Sequence, residues 1–353
     1  MKLRVPKRGW LRAAAALLGL AGLAAFVWWR GPALTGIGDA FRAVEWEWVV
    51  VAVVLNLLSV VARSLAWLTV IDQAMPPPRP RYPLVFSAFS VGLFANAVLP
   101  GRVGELARVG VLTRKLPARR GLWATLVGTV FAHRVFDLVP VLLLVLYVLA
   151  TAKIPGWAIT GLLVVIGVGV GLFGFALVSA RRHHTSSLDG LGAARRLVTM
   201  ARNGLGVMHS PLPAAIAIFF QCIGWLCQLF AVWTAMRAFD IHAPVPAAGL
   251  VLLLMNVATV FPLWPGNVGL VQVAVASPLV SYGVNYAHGI AFGFGLQAIE
   301  ASVGIGVGLL FLAREGLSYT MLKVMPTAAQ ADDPVEDDET EQDAEPSPQA
   351  RVG

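Results

Sequence analysis

Eight stretches of this chain are long and nearly free of charge: 13–29, 48–71, 83–99, 122–150, 157–180, 212–239, 247–263 and 287–313. Most approach the ~20 residues that a helix needs to cross ~30 Å of hydrocarbon. Lipid offers the backbone no hydrogen bonds, so segments of this kind close their own as helices. The fold class this predicts is all-α, a polytopic membrane bundle. Composition agrees, since 13% of residues are charged and 58% are hydrophobic, against about a quarter charged in a soluble domain.

The formal net charge of +8 conceals an asymmetry. Residues 332–353 hold nine acids against Arg351 alone, which leaves 26 basic and 10 acidic side chains in residues 1–331. The basic surplus falls between the apolar stretches, where the cytoplasmic bias of Lys and Arg accounts for it without a nucleic-acid partner. The basic N-terminus 1–12, then Arg79 and Arg81, Arg114 to Arg120, Arg181 to Arg202, and Arg314 with Lys323 mark the inner side. This places a multi-pass protein in the plasma membrane with both termini cytoplasmic. The tail 316–353 reads as an acidic disordered segment. The N-terminal run ends on Trp28, Trp29 and Arg30, which suits a retained first span better than a cleaved signal. Cys222 and Cys227, the two cysteines, lie inside an apolar stretch and suggest neither a disulfide framework nor a metal cluster.

With the basic loops held inside, two segments remain that begin and end on one side: 83–116 on the inner side and 247–283 on the outer. Each carries the same break, NAVLPGRVG from Asn96 through Pro100, Gly101 and Arg102 to Gly104, and NVATVFPLWPGNVG from Asn256 through Pro265, Gly266 and Asn267 to Gly269. Proline interrupts the helical ladder and glycine permits close backbone approach, so each motif suits the corner of a re-entrant hairpin of two half-helices. Irregular backbone survives at membrane depth only beside protein or a watery cavity. Grouped by span, re-entrant pair and span, the chain divides into halves at 48–150 and 212–313 that start from opposite faces. That is an inverted-topology repeat, an architecture that builds midplane transport sites.

The charged residues inside these segments are the site candidates, because ionisable groups at bilayer depth cost at least ~2.5 kcal/mol on insertion scales. Glu105 and Arg108 stand one turn apart after the first break, with Arg102 a turn earlier, and the N–H groups opening that half-helix would suit a phosphate. His133, Arg134 and Asp137 share one face of the 122–150 span, whereas Arg63 has no acid within helical reach. Such an arginine needs a partner on another helix or an anionic ligand. In the second half Glu300 lies near the centre of its span, roughly where His133 to Asp137 lie in the first, with Gln297 one turn before it. It either balances an arginine or takes up protons. Asn267 and Gln272 leave the second break polar but uncharged, and Gln221, Trp225 and Gln228 recur along one helical face. Walker, G-x-S-x-G and H-E-x-x-H motifs are missing from the sequence, and no cofactor or metal is expected.

Arg63 in its R-x-L-x-W stretch, NAVLPGRVGELAR, the HRVFD span and FPLWPGNVGLVQ together resemble a flippase-like integral membrane family that includes the transmembrane region of lysylphosphatidylglycerol synthases. The likeness extends over about residues 13–315. It implies a bundle that moves an anionic lipid, or a lipid-linked head group of polyprenyl-phosphate type, between leaflets. Arg63, Arg102, Arg108 and Arg134 would cradle phosphate, and Glu105, Asp137 and Glu300 would balance charge. The second break departs from the family's PGGLGVRE pattern at Asn267 and Gln272. Because those synthases carry a soluble aminoacyl-transferase domain after the membrane region and this sequence continues into a short acidic tail, the chain is expected not to be an enzyme. Two alternatives stay open: an ion-coupled transporter of a small anionic solute, and a membrane-embedded transferase acting on a lipid carrier. Lipid and membrane are the expected partners, nucleic acid is not, and there is room for a homo-oligomer.

Overall fold

The computed structural model describes residues 37–99, 103–117, 119, 121–156, 158–161, 163, 167, 171, 211–260 and 265–314. The expected first span, most of 157–180, the basic segment 181–202, the acidic tail, and Pro100, Gly101 and Arg102 of the first break lie outside the described residues.

The described chain is helical. A short helix α1 (Ile37–Arg42) precedes α2 (Trp46–Ala74), α3 (Tyr82–Val98), α4 (Gly104–Lys115) and α5 (Leu122–Thr151). Then come α6 (Pro211–Ala238), α7 (Val245–Val260), α8 (Leu270–Leu279) and α9 (Tyr286–Arg314), with 3-10 turns at Pro265–Asn267 and Val280–Tyr282. Among the described residues, α2, α5, α6 and α9, with 29, 30, 28 and 29 residues, are long and apolar enough to cross a membrane. At 1.5 Å per residue α3 and α7, of 17 and 16 residues, reach about 25 Å, short of the ~30 Å of a hydrocarbon core. Helices α4 and α8 are shorter still, at 12 and 10 residues. The described parts of the apolar stretches at 83–99 and 247–263 are therefore short helices. At the end of the first, Leu99 is extended (φ −95°, ψ 141°), as a residue before proline prefers.

The order long, short, short, long thus occurs twice, and neighbours repeat with it. Helix α2 touches α3, α5 and α9, and its counterpart α6 touches α7, α9 and α5. Helix α3 packs on α4 and α9, and α7 packs on α8 and α5; α4 meets α5 as α8 meets α9. The counterparts α2 and α6 lie along one another. They run antiparallel, because the Glu45 N–H at the start of α2 donates to the Ala238 carbonyl at the end of α6 (2.9 Å) and Gly224 lies against Ser59 and Arg63.

The interior is apolar around Trp67, Leu112 and Leu126 in the first half and Leu250, Val275 and Phe292 in the second. Small residues let helices approach: Gly289 and Gly293 of α9 lie on Ala276 and Gln272 of α8, and Gly308 lies on Ser90 and Phe94 of α3. Leu143, Phe219, Leu226 and Leu310 face outward, which lipid accepts because its tails are as apolar as leucine.

Candidate functional site

Arg63 sits midway along α2, and its stem has room because residue 224 on α6 is glycine: a Cβ there would lie 2.8 Å from Arg63 Cγ. Its guanidinium stacks over the Trp225 ring (4.9 Å) and stands 4.0 Å from Asp137 Oδ1 on α5, while Nε is buried without a hydrogen bond. The partner that Arg63 lacks on its own helix is thus supplied across the bundle. Asp137 also accepts from Trp225 Nε1 (2.9 Å) and Arg134 (3.0 Å). Arg134 reaches on to Glu105 of α4, and Glu105 meets Arg108 at 2.5 Å. The result is a continuous ionic chain, Arg63, Asp137, Arg134, Glu105, Arg108, across α2, α5 and α4.

These charges differ in access. Arg108 is 3% exposed and lies over Trp67 (4.5 Å) and Phe89 (5.3 Å), so it braces Glu105 rather than meeting a ligand. Arg134 is half-exposed and occupied by its two carboxylates. His133 is buried against Phe89, and Gln221 Nε2 lies 3.2 Å from its ring and donates to its carbonyl.

A cavity of about 340 Å³ opens between α2, α3, α6 and α9. Among the described residues, Arg63 and Glu300 are the charged groups on its wall, and Asn56, Ser59, Asn96, Gln228, Asn267 and Gln297 supply most of the remaining polarity. Glu300 accepts from Gln228 Nε2 at 3.4 Å. Both breaks border the space, through Leu99 and Gly266.

The two breaks are held differently. At the first, Asn96 Oδ1 accepts from the Gly104 N–H (2.9 Å), and Gly92 and Gly104 pack backbone to backbone, so that a Cβ at either would overlap the other's carbonyl. That N–H, expected to be free for an anion, is already satisfied. At the second, Gly266 and Gly269 have φ of +70° and +93°, Asn267 donates to the Ala258 carbonyl (2.8 Å), and Gln297 donates to the Gly266 carbonyl. Gln272 closes this corner by accepting from the Gly269 N–H (2.6 Å) and donating to Gln297 (2.6 Å). Asn256, grouped with Asn96 by sequence, bonds back to Leu252 of its own helix (2.8 Å). Pro265 opens the 3-10 turn.

Of the residues expected at the site, the structure brings together Arg63, Glu105, Arg108, Arg134 and Asp137 as one ionic chain. Arg63, Asn96, Gly266, Asn267 and Glu300 surround the cavity. Gln228 and Gln297 join them on the cavity wall, while Trp225 packs on Arg63 and Gln221 on His133 behind it; the sequence signal of all four is polarity recurring inside apolar spans. Counted from the first residues, Gln228 of α6 stands where Arg63 stands in α2; counted from the last residues, Glu300 and Gln297 of α9 stand where Asp137 and Arg134 stand in α5.

A helical bundle with several membrane-crossing helices and charges of both signs turned onto an internal polar cavity is a multi-pass membrane protein. The chain belongs to the family described as the lysylphosphatidylglycerol synthase TM region, which matches residues 13–308. It is similar to a UPF0104 membrane protein of Methanocaldococcus jannaschii, 24% identical over 207 residues, covering 56% of this chain and 84% of the relative. No solved structure matches the chain. Membership establishes a lipid-related or transport role in the membrane. It also corrects one expectation: the family is named for a lysylphosphatidylglycerol synthase, an enzyme, so the expectation of a chain that is not an enzyme does not stand. That expectation leaned on missing soluble motifs and on the end of the sequence, neither of which speaks to chemistry within the membrane.

Proposed function

We propose that residues 13–315 translocate an anionic lipid, or a lipid-linked head group of polyprenyl-phosphate type, across the plasma membrane, with both termini in the cytoplasm. In this reading α3 with α4 and α7 with α8 are re-entrant hairpins of an inverted repeat. The antiparallel packing of α2 on α6 and the repeated neighbours support it. Alternate exposure of the cavity between the halves would carry the head group.

The observation that carries the proposal is Arg63, a cation on the wall of an open cavity between helices whose nearest acid stands at 4.0 Å and whose Nε has no hydrogen-bond partner. An anionic oxygen is the natural complement of such a group. A lipid is favoured over a soluble anion by a second, apolar groove of about 350 Å³ between α5 and α6, lined by Leu143, Tyr147, Cys222, Leu226 and Trp225. The Trp225 ring that lines this groove also stacks on Arg63, so a chain in the groove and a head at Arg63 would lie on either side of one side chain.

Proteoliposomes bearing fluorescent phosphatidylglycerol should move the probe between leaflets, read by dithionite quenching, faster than protein-free vesicles. Arg63→Gln should slow this about tenfold or more, since removing one partner of a desolvated charged contact costs about 2–5 kcal/mol. Equal rates in the variant and the wild type would remove Arg63, and with it the reading, from the mechanism.

A further inference from the structure

The two carboxylates at equivalent places in the halves are held in opposite ways. Asp137 is surrounded by donors that have no acceptor capacity: Trp225 N–H, Arg134 and Arg63. Those partners are compatible with the ionised carboxylate alone. Among the described residues, the side chain that hydrogen-bonds Glu300 is Gln228. An amide both donates and accepts, so Gln228 serves a carboxylate through its N–H and a carboxylic acid through its carbonyl. Glu300 can therefore change protonation state without losing its partner, and Asp137 cannot.

Its surroundings give that change a purpose. Among the described residues, the charged group facing Glu300 is Arg63, across the cavity from α2. Among the described residues, the other elements packed on α9 bring no charge to it: α3 contributes Asn96, α8 contributes Gln272 through Gln297, and α6 contributes Gln228. Tyr82 of α3 and Asp39 and Arg42 of α1 belong to the helix ends, as do His288 and Arg314 of α9 itself. An anion that docks on Arg63 thus enters a small space with a carboxylate on its opposite wall, and like charges in a low-dielectric site repel strongly.

We propose that Glu300 takes up one proton from the water of the open cavity as an anionic head group docks on Arg63, so that head group and proton enter the site together. One O–H bond forms on Glu300 and no other bond changes; the charge of a phosphodiester and that of the proton cancel. This rests on the reading of the cavity as a head-group site and adds what couples that site to pH.

The test is calorimetry of the detergent-purified full chain with dihexanoyl-phosphatidylglycerol, whose phosphodiester does not itself titrate near neutrality, in buffers of low and high ionisation enthalpy. The expected result is uptake of about one proton per bound lipid over the pH range where Glu300 is ionised in the empty site, with affinity falling about tenfold per pH unit on the alkaline limb. Glu300→Gln should bind more tightly at high pH, with no proton uptake and a flat pH profile. Glu300→Asp, which keeps a titrating group, should keep the uptake.

Binding by the wild type with buffer-independent heats across the pH range overturns the proton proposal and leaves the head-group site standing. No binding, or binding unchanged in Arg63→Gln, overturns the site itself and the proposal with it. Deacylated glycerophosphoglycerol forms the second arm. Proton-linked binding of that compound as tight as that of the lipid would keep the coupling and overturn the lipid as cargo.

Discussion

The two halves share a scaffold and differ in what they place on it. In the first, equivalent helix positions carry Arg63, Arg134 and Asp137; in the second they carry Gln228, Gln297 and Glu300. The ionic link from Arg134 to Glu105 has its counterpart in neutral hydrogen bonds, Gln297 donating to the Gly266 carbonyl and accepting from Gln272. Each half thus ties its long closing helix to its own break, once with charges and once with neutral groups. The consequence falls on the acids, since Asp137 is neutralised by the half it belongs to and Glu300 is not. Ions at both sets of positions would compensate one another and leave nothing for a ligand; with amides at one set, a carboxylate and Arg63 face a shared cavity.

The same chemical change at the two equivalent acids is the most severe way to break this comparison. Asp137→Asn strips the carboxylate from a buried cluster and leaves Arg63 and Arg134 short of an acid, a loss of about 3–5 kcal/mol when one partner of a buried pair is removed. Glu300→Gln replaces one hydrogen-bonding carboxyl by an amide of the same shape and should cost about 1 kcal/mol or less. Thermal unfolding of the two variants in one detergent reads the difference directly. Equal destabilisation would mean that the halves hold their acids alike and that the asymmetry is one of sequence only.

Much of this arrangement was legible beforehand, for a physical reason. Charge inside an apolar run is conspicuous, so Arg63, Asp137 and Glu300 stand out in the sequence. At the second Pro-Gly-x-Val-Gly motif the described residues do turn, with Gly266 and Gly269 at positive φ; Pro100 to Arg102 of the first lie outside the described residues. What the residues alone did not convey was who meets whom. Asp137 reaches Arg63 from another helix, far along the chain, and Glu105 joins Arg134 in the same way. The glutamines give a weaker sequence signal, because an amide carries no net charge and costs less to place in a membrane than an ion. Asn256 was overweighted by its likeness to Asn96; its side chain bonds to its own helix while Asn267 takes the tertiary contact. The packing role of Gly224 beside Arg63 had no sequence signal apart from its place one residue before Trp225.

The breaks offer a gentler and finer comparison, because their glycines are required for different reasons. Gly104 serves close approach: a Cβ there would meet the Gly92 carbonyl and Asn96, so Gly104→Ala must push α3 and α4 apart at about 1–3 kcal/mol, the usual cost of overpacking. Gly266 serves a backbone angle instead, with φ +70° and ψ −2°, near the left-handed region that costs most residues roughly 1–2 kcal/mol. A Cβ there stands 3.2 Å from the end of the flexible Gln297 side chain, which can yield. Asparagine tolerates this region better than alanine does, so Gly266→Asn should recover part of the stability that Gly266→Ala loses. At Gly104 asparagine should be worse than alanine, since the obstacle there is volume. A pair of melting series that ranked Ala above Asn at both corners would show that the second break is also limited by space, and the two corners would then be held by one device.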